Sequence, residues 1–301
     1  MTVTEQIQAL KKEKNAVILA HYYVPGEVQE VADYIGDSFY LSKAAAKTKA
    51  DVLVFCGVSF MGESARILNP DKTVLMPDAQ ADCPMAHMAD IERIRGLKSQ
   101  YEDLAVVCYI NSTAELKTYA DVCVTSANAL KIVKALPQKN ILFIPDENLG
   151  RYIASKLPEK HFIFNDGRCP VHACLAKEEV EQAKKEHPGA EVLVHPECVP
   201  EVLALADYIG STSGIIRYAG ESSCGSFIIC TEEGVLHELK KQNPKKTFYM
   251  AGDGFQCPDM KRVTLDKVLK VLKEGSNQVE VDPELSKASM RPLERMLELA
   301  R

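Results

Sequence analysis

A seven-residue pattern occurs three times, as ADYIGDS at residues 32–38, ADVCVTS at 120–126 and ADYIGST at 206–212. In each copy an Ala-Asp pair precedes a hydroxyl-rich turn, a helical stretch and another apolar strand. The aspartates are 88 and 86 residues apart (121 − 33 and 207 − 121). This period is too long for a solenoid of stacked repeats of about 20–45 residues. It predicts that a small α/β domain has been triplicated.

Two further landmarks repeat with the same period. One is a strand that ends in polar groups, and its copies are AHYY at 20–23, CYIN at 108–111 and VHPE at 194–197. The other is a Cys-Pro dipeptide, and its copies lie at 83–84, 169–170 and 257–258. A single Cys-Pro pair has little meaning. Three at a period already set by two independent landmarks mark equivalent positions in the three units.

The rest of the chain alternates short apolar runs with helical patterns. The runs are rich in Val, Ile and Phe and are mostly continuous, as expected of strands buried on both faces. The predicted strands are AVILAHYY, DVLVFCGV, AVVCYI, DVCVTS, NILFIP, HFIFND, EVLVHP, SFIIC and TFYM. The predicted helices include residues 1–14, 38–49, 127–136, 177–187, 265–272 and 283–299. This βαβα order predicts parallel sheets in an α/β fold.

The expected architecture is three pseudo-symmetric three-layer αβα domains around a pseudo-threefold axis. We expect domain 1 to span residues 1–84, with the C-terminal residues 259–301 packed on it. Domain 2 would span 85–171 and domain 3 would span 172–258. Corresponding residues of the three domains would then converge on the axis.

Composition excludes several classes of function. The 301 residues carry a net charge of −6 without a block of Lys or Arg, which argues against a nucleic-acid partner. No apolar run approaches the roughly 20 residues that span a bilayer, so no membrane partner is expected. The polar N-terminus does not resemble a signal peptide. We therefore expect a cytoplasmic protein that acts on small molecules.

The ten cysteines fall into different settings. Cys56, Cys108 and Cys230 lie in apolar strand-like runs, where a free cysteine acts as a small hydrophobic residue. The three cysteines of the Cys-Pro pairs, Cys83, Cys169 and Cys257, lie instead in turn-like settings. Three convergent thiolates without an obvious fourth predict a metal centre with one open position. Zinc with a bound water and a [4Fe–4S] cluster with one non-cysteine iron both fit this pattern.

Polar side chains stand at the predicted strand ends, where α/β sheets bind their ligands. They are His21, Tyr23, Tyr109, Asn111, His195 and Glu197. The hydroxyl turns contribute residues where helices should begin, as N-caps and as an anion site. These residues are Ser38, Ser126 and Thr212.

The histidines outside these landmarks give weaker signals. His172, three residues after Cys169, fits either a site residue or an ordinary loop histidine. Four more have no matched partners and are expected on the surface or in the core, namely His87, His161, His187 and His237.

Taken together, these motifs resemble the quinolinate synthase (quinolinate synthetase A) family. The matching stretches are AHYY (20–23), GDS (36–38), FCGVSFMGESA (55–65), LNPDK (68–72), YINSTAE (109–115), VTSAN (124–128), HPEC (195–198), STSG (211–214) and CPDMK (257–261). The resemblance implies three α/β domains with a [4Fe–4S] cluster at their interface, held by Cys83, Cys169 and Cys257. The iron without a cysteine ligand would act as a Lewis acid.

The resemblance also implies a reaction and its partners. Iminoaspartate would condense with dihydroxyacetone phosphate, with loss of phosphate and two waters, to give quinolinate in de novo NAD biosynthesis. A separate L-aspartate oxidase or dehydrogenase would supply the iminoaspartate. Some relatives carry a C-x-x-C-x-x-C run near the last ligand, whereas residues 255–259 here read FQCPD. No redox disulfide is therefore expected beside the cluster.

Carried over position by position, the resemblance assigns roles to the candidate residues. Catalysis would involve Glu197, Tyr23, His21, Tyr109 and His195. Substrate would be bound by His21, Ser38, Tyr109, Asn111, Ser126, His195, Glu197 and Thr212. Two other functions remain open from the residues alone. One is a zinc lyase or hydrolase with three cysteine ligands that acts on a phosphorylated metabolite, and the other is a non-catalytic iron–sulfur carrier or sensor.

Overall fold

The computed structural model describes residues 1–253 and 255–300. The first repeat contains α1 (Val3–Glu13), β1 (Ala16–His21), α2 (Gly26–Val31), β2 (Tyr34–Gly36), α3 (Ser38–Lys47), β3 (Val52–Cys56), α4 (Ser59–Leu68) and β4 (Thr73–Leu75), followed by a 3₁₀ helix (Pro84–His87). The second contains α5 (Ile91–Gln100), β5 (Leu104–Tyr109), α6 (Ala114–Thr118), β6 (Val122–Val124), α7 (Ala129–Ala135), β7 (Asn140–Ile144), α8 (Glu147–Lys156), β8 (His161–Phe164) and α9 (Pro170–Ala173).

The third repeat contains α10 (Lys177–Glu186), β9 (Glu191–Val194), α11 (Pro200–Leu203), β10 (Tyr208–Ile209), α12 (Thr212–Glu221), β11 (Ser226–Cys230), α13 (Val235–Gln242), β12 (Thr247–Met250) and α14 (Pro258–Lys261). Two helices follow, α15 (Leu265–Glu274) and α16 (Pro283–Leu299). The predicted helices at both ends of the chain are confirmed.

The strands form three four-stranded sheets that share one topology. Their orders are β2-β1-β3-β4, β6-β5-β7-β8 and β10-β9-β11-β12. Every pair of neighbouring strands is parallel. Helices flank each sheet, so the predicted α/β class with three αβα units is confirmed. Three strands escaped prediction, namely β2, β4 and β10, each of which has two or three residues and carries little sequence pattern.

The repeated aspartates join the first two strands of each sheet. The carboxylates of Asp33, Asp121 and Asp207 each accept a hydrogen bond of 2.8 Å from a backbone N–H of the first strand. The donors are Ile18, Val106 and Val192, which are also 88 and 86 residues apart. The aspartate of each Ala-Asp pair therefore ties the segment before the second strand to the first strand. The first strand is the one that ends in the polar residues.

A further repeated contact is evident only in three dimensions. Lys72, Lys160 and Lys246, again at steps of 88 and 86, donate to backbone carbonyls where α3, α7 and α12 end. The last carbonyls of a helix lack partners within the helix, so a lysine ammonium satisfies them well. An equivalent lysine therefore caps the C-terminal end of the equivalent helix in each unit.

Apolar packing links the first two units to the C-terminal helices. One hydrophobic core extends over the first two sheets and includes Leu293 and Met296 of α16. Helix α15 packs on α1, and α16 packs on α4, α6 and β6. The third sheet is packed by two separate clusters around Val194 and Ile229. None of the described helices is long and apolar enough to cross a membrane.

Candidate active site

One pocket brings the predicted site residues together from all three repeats. Its lining includes the polar strand-end residues His21, Tyr23, Tyr109, Asn111, His195 and Glu197. It also includes the hydroxyl residues Ser38, Ser126 and Thr212 and the cysteines Cys83, Cys169 and Cys257. The pocket lies beyond the carboxyl ends of the first strands, as expected of parallel sheets.

Each of these three cysteines is the N-cap residue of a short helix, with Pro at the first helical position. Proline is favoured there because its missing N–H would lack a helical partner anyway and its φ suits the helix. The Cys-Pro pairs are thereby explained, since the proline starts a turn that holds the preceding thiol at a helix N-terminus. Cys83, Cys169 and Cys257 are only partly buried, whereas Cys56, Cys108 and Cys230 are buried in strands, as predicted.

The three pocket thiols are protonated unless a metal ion binds them. Burial raises the pKa of Cys83 to about 12, and it raises the pKa values of Cys169 and Cys257 above the usual range. Backbone N–H groups of the short helices act in the opposite direction, for example those of Ala86 and Met85 at Cys83. A metal ion that binds a thiol deprotonates it outright. The site therefore fits a group of metal ions with thiolate ligands.

A second group of possible metal donors lies in the same pocket. The Cys169 Sγ, a ring nitrogen of His172 and a carboxylate oxygen of Glu197 lie within 4.8 Å of one another. His172 Nδ1 is 2.9 Å from Glu197 Oε2 and 3.3 Å from Cys169 Sγ. A hydrogen bond from the imidazole N–H to the carboxylate explains this spacing. We therefore interpret the group as a hydrogen-bonded pair beside one cysteine.

A chain of hydrogen bonds runs through the pocket wall. The Tyr23 hydroxyl lies 2.8 Å from both Thr212 Oγ1 and Thr231 Oγ1. Thr231 Oγ1 lies 2.9 Å from His172 Nε2. The Tyr109 hydroxyl donates a short hydrogen bond to Glu197 Oε1. The chain thus connects side chains from all three repeats.

The sequence of the chain matches a known protein family. The family model for the quinolinate synthetase A protein (NadA) matches residues 5–298. The chain belongs to this family.

The family's curated members include relatives that match this chain over almost its whole length. A protein named quinolinate synthase from Clostridioides difficile (strain 630) is 54% identical over 298 residues, which cover 99% of this chain and 98% of the relative. One of the same name from Fusobacterium nucleatum subsp. nucleatum is 53% identical over 296 residues, which cover 98% of this chain and 99% of the relative.

In this member of the quinolinate synthetase A family, two strand-end histidines are neutral. Burial lowers the pKa values of His21 and His195 to about 3. Their Nδ1 atoms accept from the backbone N–H groups of Tyr23 and Glu197, at 3.2 and 3.4 Å. The proton of each neutral ring is therefore on Nε2. In His195 this N–H points to Ser126 Oγ at 3.3 Å, so the hydroxyl proton of Ser126 is available to a ligand.

Glu197 differs from the histidines because it remains charged. Burial by itself would raise its pKa, but His172 and the Tyr109 hydroxyl, which both donate hydrogen bonds to the carboxylate, hold the pKa below the usual value for glutamate. A carboxylate can only accept hydrogen bonds. His172 must therefore carry a proton on Nδ1, toward Glu197, and its Nε2 lies within hydrogen-bond distance of the Thr231 hydroxyl.

The prediction that the hydroxyl residues are N-caps is wrong. The N-caps of α3, α7 and α12 are Asp37, Asn128 and Ser211. Ser38 and Thr212 are the first residues of their helices, and Ser126 lies two residues before its cap. The side chains of Asp37 and Ser211 accept from backbone N–H groups of the first turn. Ser38 and Thr212 line the pocket instead.

Two buried polar atoms in the pocket lack a hydrogen-bond partner among the described residues. They are Asn111 Oδ1 and Thr125 Oγ1. Buried polar groups are nearly always paired in folded proteins, so these atoms indicate where a ligand binds. Asn111 was predicted as a site residue. Thr125 was missed, although it precedes Ser126 in the second hydroxyl turn.

The sequence left the placement of one pocket residue open and gave no signal for another. His172 is buried at the centre of the network, so the site interpretation of this histidine is correct. Thr231 is fully buried and bridges Tyr23 and His172, and nothing in its sequence context indicated this position. The four unmatched histidines take part in other contacts, for example His87 with Asp82 and His237 with Glu30.

We predict that the metal-free protein loses stability as the pH falls from about 6.5 toward 3. In this range an unfolded histidine takes up a proton, whereas folded His21 and His195 do not. Each such histidine lowers the free energy of unfolding by at most about 1.4 kcal/mol per pH unit. Urea unfolding of the wild type and His195→Gln at pH 7.0, 6.0 and 5.0 measures the effect. The variant should show a shallower pH dependence, and parallel curves would contradict the assignment.

Proposed function

We propose that this enzyme is a quinolinate synthase that condenses iminoaspartate with dihydroxyacetone phosphate. The products would be quinolinate, phosphate and two waters, in cytoplasmic de novo NAD biosynthesis. An L-aspartate oxidase or dehydrogenase would supply the iminoaspartate. The observation that carries the proposal is the single pocket in which three cysteines from three repeats face neutral histidines, tyrosines and one charged glutamate. The name shared by the relatives supports it.

Cys83, Cys169 and Cys257 would hold a [4Fe–4S] cluster. Soft thiolates suit iron–sulfur clusters, and three of them leave one iron without a protein thiolate. When bound, the cluster supplies a Lewis acid that polarises a substrate hydroxyl or carboxylate. Tyr109 would lie near the open iron.

The spacing of donor atoms favours a cluster over a single zinc ion. Zinc–thiolate bonds of about 2.3 Å would bring three sulfurs to within about 4 Å of one another. The donor atoms of Cys169, His172 and Glu197 lie within 4.8 Å of one another, whereas Cys83 and Cys257 do not belong to that group. A cluster would not need the three thiolates to meet at a single ion, which favours it over zinc.

The hydroxyl residues and helix N-termini would bind the anionic groups of the substrates. Thr212 and Ser38 stand at the first positions of α12 and α3, where free backbone N–H groups and the helix dipole favour phosphate and carboxylate. The Ser126 hydroxyl accepts a hydrogen bond from the His195 N–H, so its own proton can be donated to the same groups. Asn111 and Thr125 would complete their hydrogen bonding with the substrate.

Glu197 would act as the base that the proton transfers require. It is ionised and buried, and its oxygens accept from Tyr109 and His172. A neutral His172 ring would accept from Thr231 at Nε2, and the single hydroxyl proton of Tyr23 would then be directed to Thr231 Oγ1. Protons removed near Tyr23 would thus pass along Thr231 and His172 to Glu197. A redox carrier or sensor would not need this network, which favours catalysis over that alternative.

Removal of any one proposed cluster ligand should abolish cluster assembly. Cys83→Ala, Cys169→Ala and Cys257→Ala should each give a colourless protein after anaerobic reconstitution, because two thiolates cannot retain the cluster. Cys56→Ala is the control, since Cys56 is buried in a strand away from the pocket lining. Visible spectra with iron and sulfide analysis measure the outcome. A cluster at wild-type content in any of the three variants would refute this ligand set.

Glu197→Gln should lower kcat by at least about 100-fold, because general base catalysis contributes about 10²–10⁴-fold. The measurement is the rate of quinolinate formation from iminoaspartate and dihydroxyacetone phosphate, at equal cluster content. Glu201→Gln, an exposed residue of α11, is the matched control and should retain the wild-type rate. Full activity of Glu197→Gln would show that another group is the base.

A further inference from the structure

Two buried carboxylates beside the pocket have no role in the chemistry described above. Asp146 and Glu232 follow the third strands of the second and third sheets and are 86 residues apart (232 − 146). Both are fully buried. The backbone N–H of Cys169 donates to Asp146 Oδ2 at 3.0 Å, and that of Cys257 donates to Glu232 Oε1 at 3.1 Å. The same contact to a proposed ligand thus occurs in two equivalent units.

Each carboxylate uses its other oxygen to hold a neighbouring segment. Asp146 Oδ1 accepts from the Leu149 N–H at 2.7 Å, as the N-cap of α8. Glu232 Oε2 accepts from the Gly234 N–H at 2.7 Å, just before α13. The two side chains therefore connect the end of a strand with the turn that carries a cysteine.

Glu232 also holds the helix that follows its cysteine. Lys261, the last residue of α14, lies 2.7 Å from Glu232 Oε1. The lysine donates as well to the backbone carbonyl of Tyr23, at 2.8 Å. The turn around Cys257 is thus fixed at its start and at its end. In the first repeat the equivalent position is Val58, and the backbone N–H of Cys83 interacts instead with the carboxylate of the preceding residue, Asp82.

Burial of a carboxylate is unfavourable unless hydrogen bonds replace its hydration. The fold nevertheless buries one at each of two equivalent positions and directs it to the N–H of a cysteine. Groups that contact metal ligands from outside orient those ligands and tune the bound metal.

We propose that Asp146 and Glu232 are positioning residues for the cluster. They hold Cys169 and Cys257 in place before the cluster binds and slow its loss. This inference rests on the [4Fe–4S] cluster proposed above.

The substitution Asp146→Asn isolates this function. Asparagine is as good an N-cap as aspartate, so its carbonyl oxygen can still accept from Leu149. Its amide NH₂ then faces the Cys169 N–H, and that contact is lost. The matched control is Asp282→Asn at the start of α16, where Oδ1 alone accepts from Glu284 and Leu285 and asparagine replaces it fully. Glu232→Gln tests the equivalent position.

The experiment reconstitutes all four proteins anaerobically and measures the loss of iron. Iron release to a ferrous chelator should be at least about tenfold faster in Asp146→Asn and Glu232→Gln than in the wild type and Asp282→Asn. Circular dichroism of the metal-free proteins checks that each variant is folded. If Asp146→Asn does not fold, the result with Glu232→Gln carries the test.

The outcomes separate this inference from the proposed function. Wild-type release rates in the two variants, with a normal cluster in the wild type, would overturn the inference alone. A wild-type protein that assembles no cluster would refute the proposed function, and with it the cluster for which these residues are positioned.

Discussion

The burial of three thiols against one polar pocket is the constraint on which the rest of this molecule depends. Burial raises the pKa values of Cys83, Cys169 and Cys257, so these thiols would stay protonated without a compensating cation. The proline after each cysteine sets the sulfur at a helix N-terminus, and nearby N–H groups partly offset the burial. These thiols act as ligands only when metal ions replace their protons.

The three units share a scaffold and differ at their strand ends. The same position is His21 in the first repeat, Tyr109 in the second and His195 in the third, and two residues later the side chains are Tyr23, Asn111 and Glu197. The environment then separates their charges, because the buried histidines are neutral while Glu197 is ionised. The three repeats therefore place different side chains at equivalent positions around one pocket, and in the proposed reaction these would differ in role as donor, acceptor or base.

The repeat made much of this predictable from sequence. A period of 86–88 residues in three landmarks identified the three parallel sheets and selected three cysteines out of ten. Edge strands such as β10 were missed because two residues carry no pattern, and the caps were misplaced by one or two residues because Asp37 and Ser211 offer the same chemistry as their neighbours. Thr231 was beyond reach, since its partners Tyr23 and His172 are 208 and 59 residues away in sequence.

The central claim is that a [4Fe–4S] cluster with one non-cysteine iron lies in this pocket, where substrate can reach that iron. Mössbauer spectroscopy of anaerobic, ⁵⁷Fe-reconstituted protein, recorded with and without quinolinate, tests it most directly. The account predicts four irons per chain, one of which has a distinct signal that changes when quinolinate binds. Four equivalent irons whose spectrum quinolinate leaves unchanged, or a protein that binds zinc in place of iron, would contradict it.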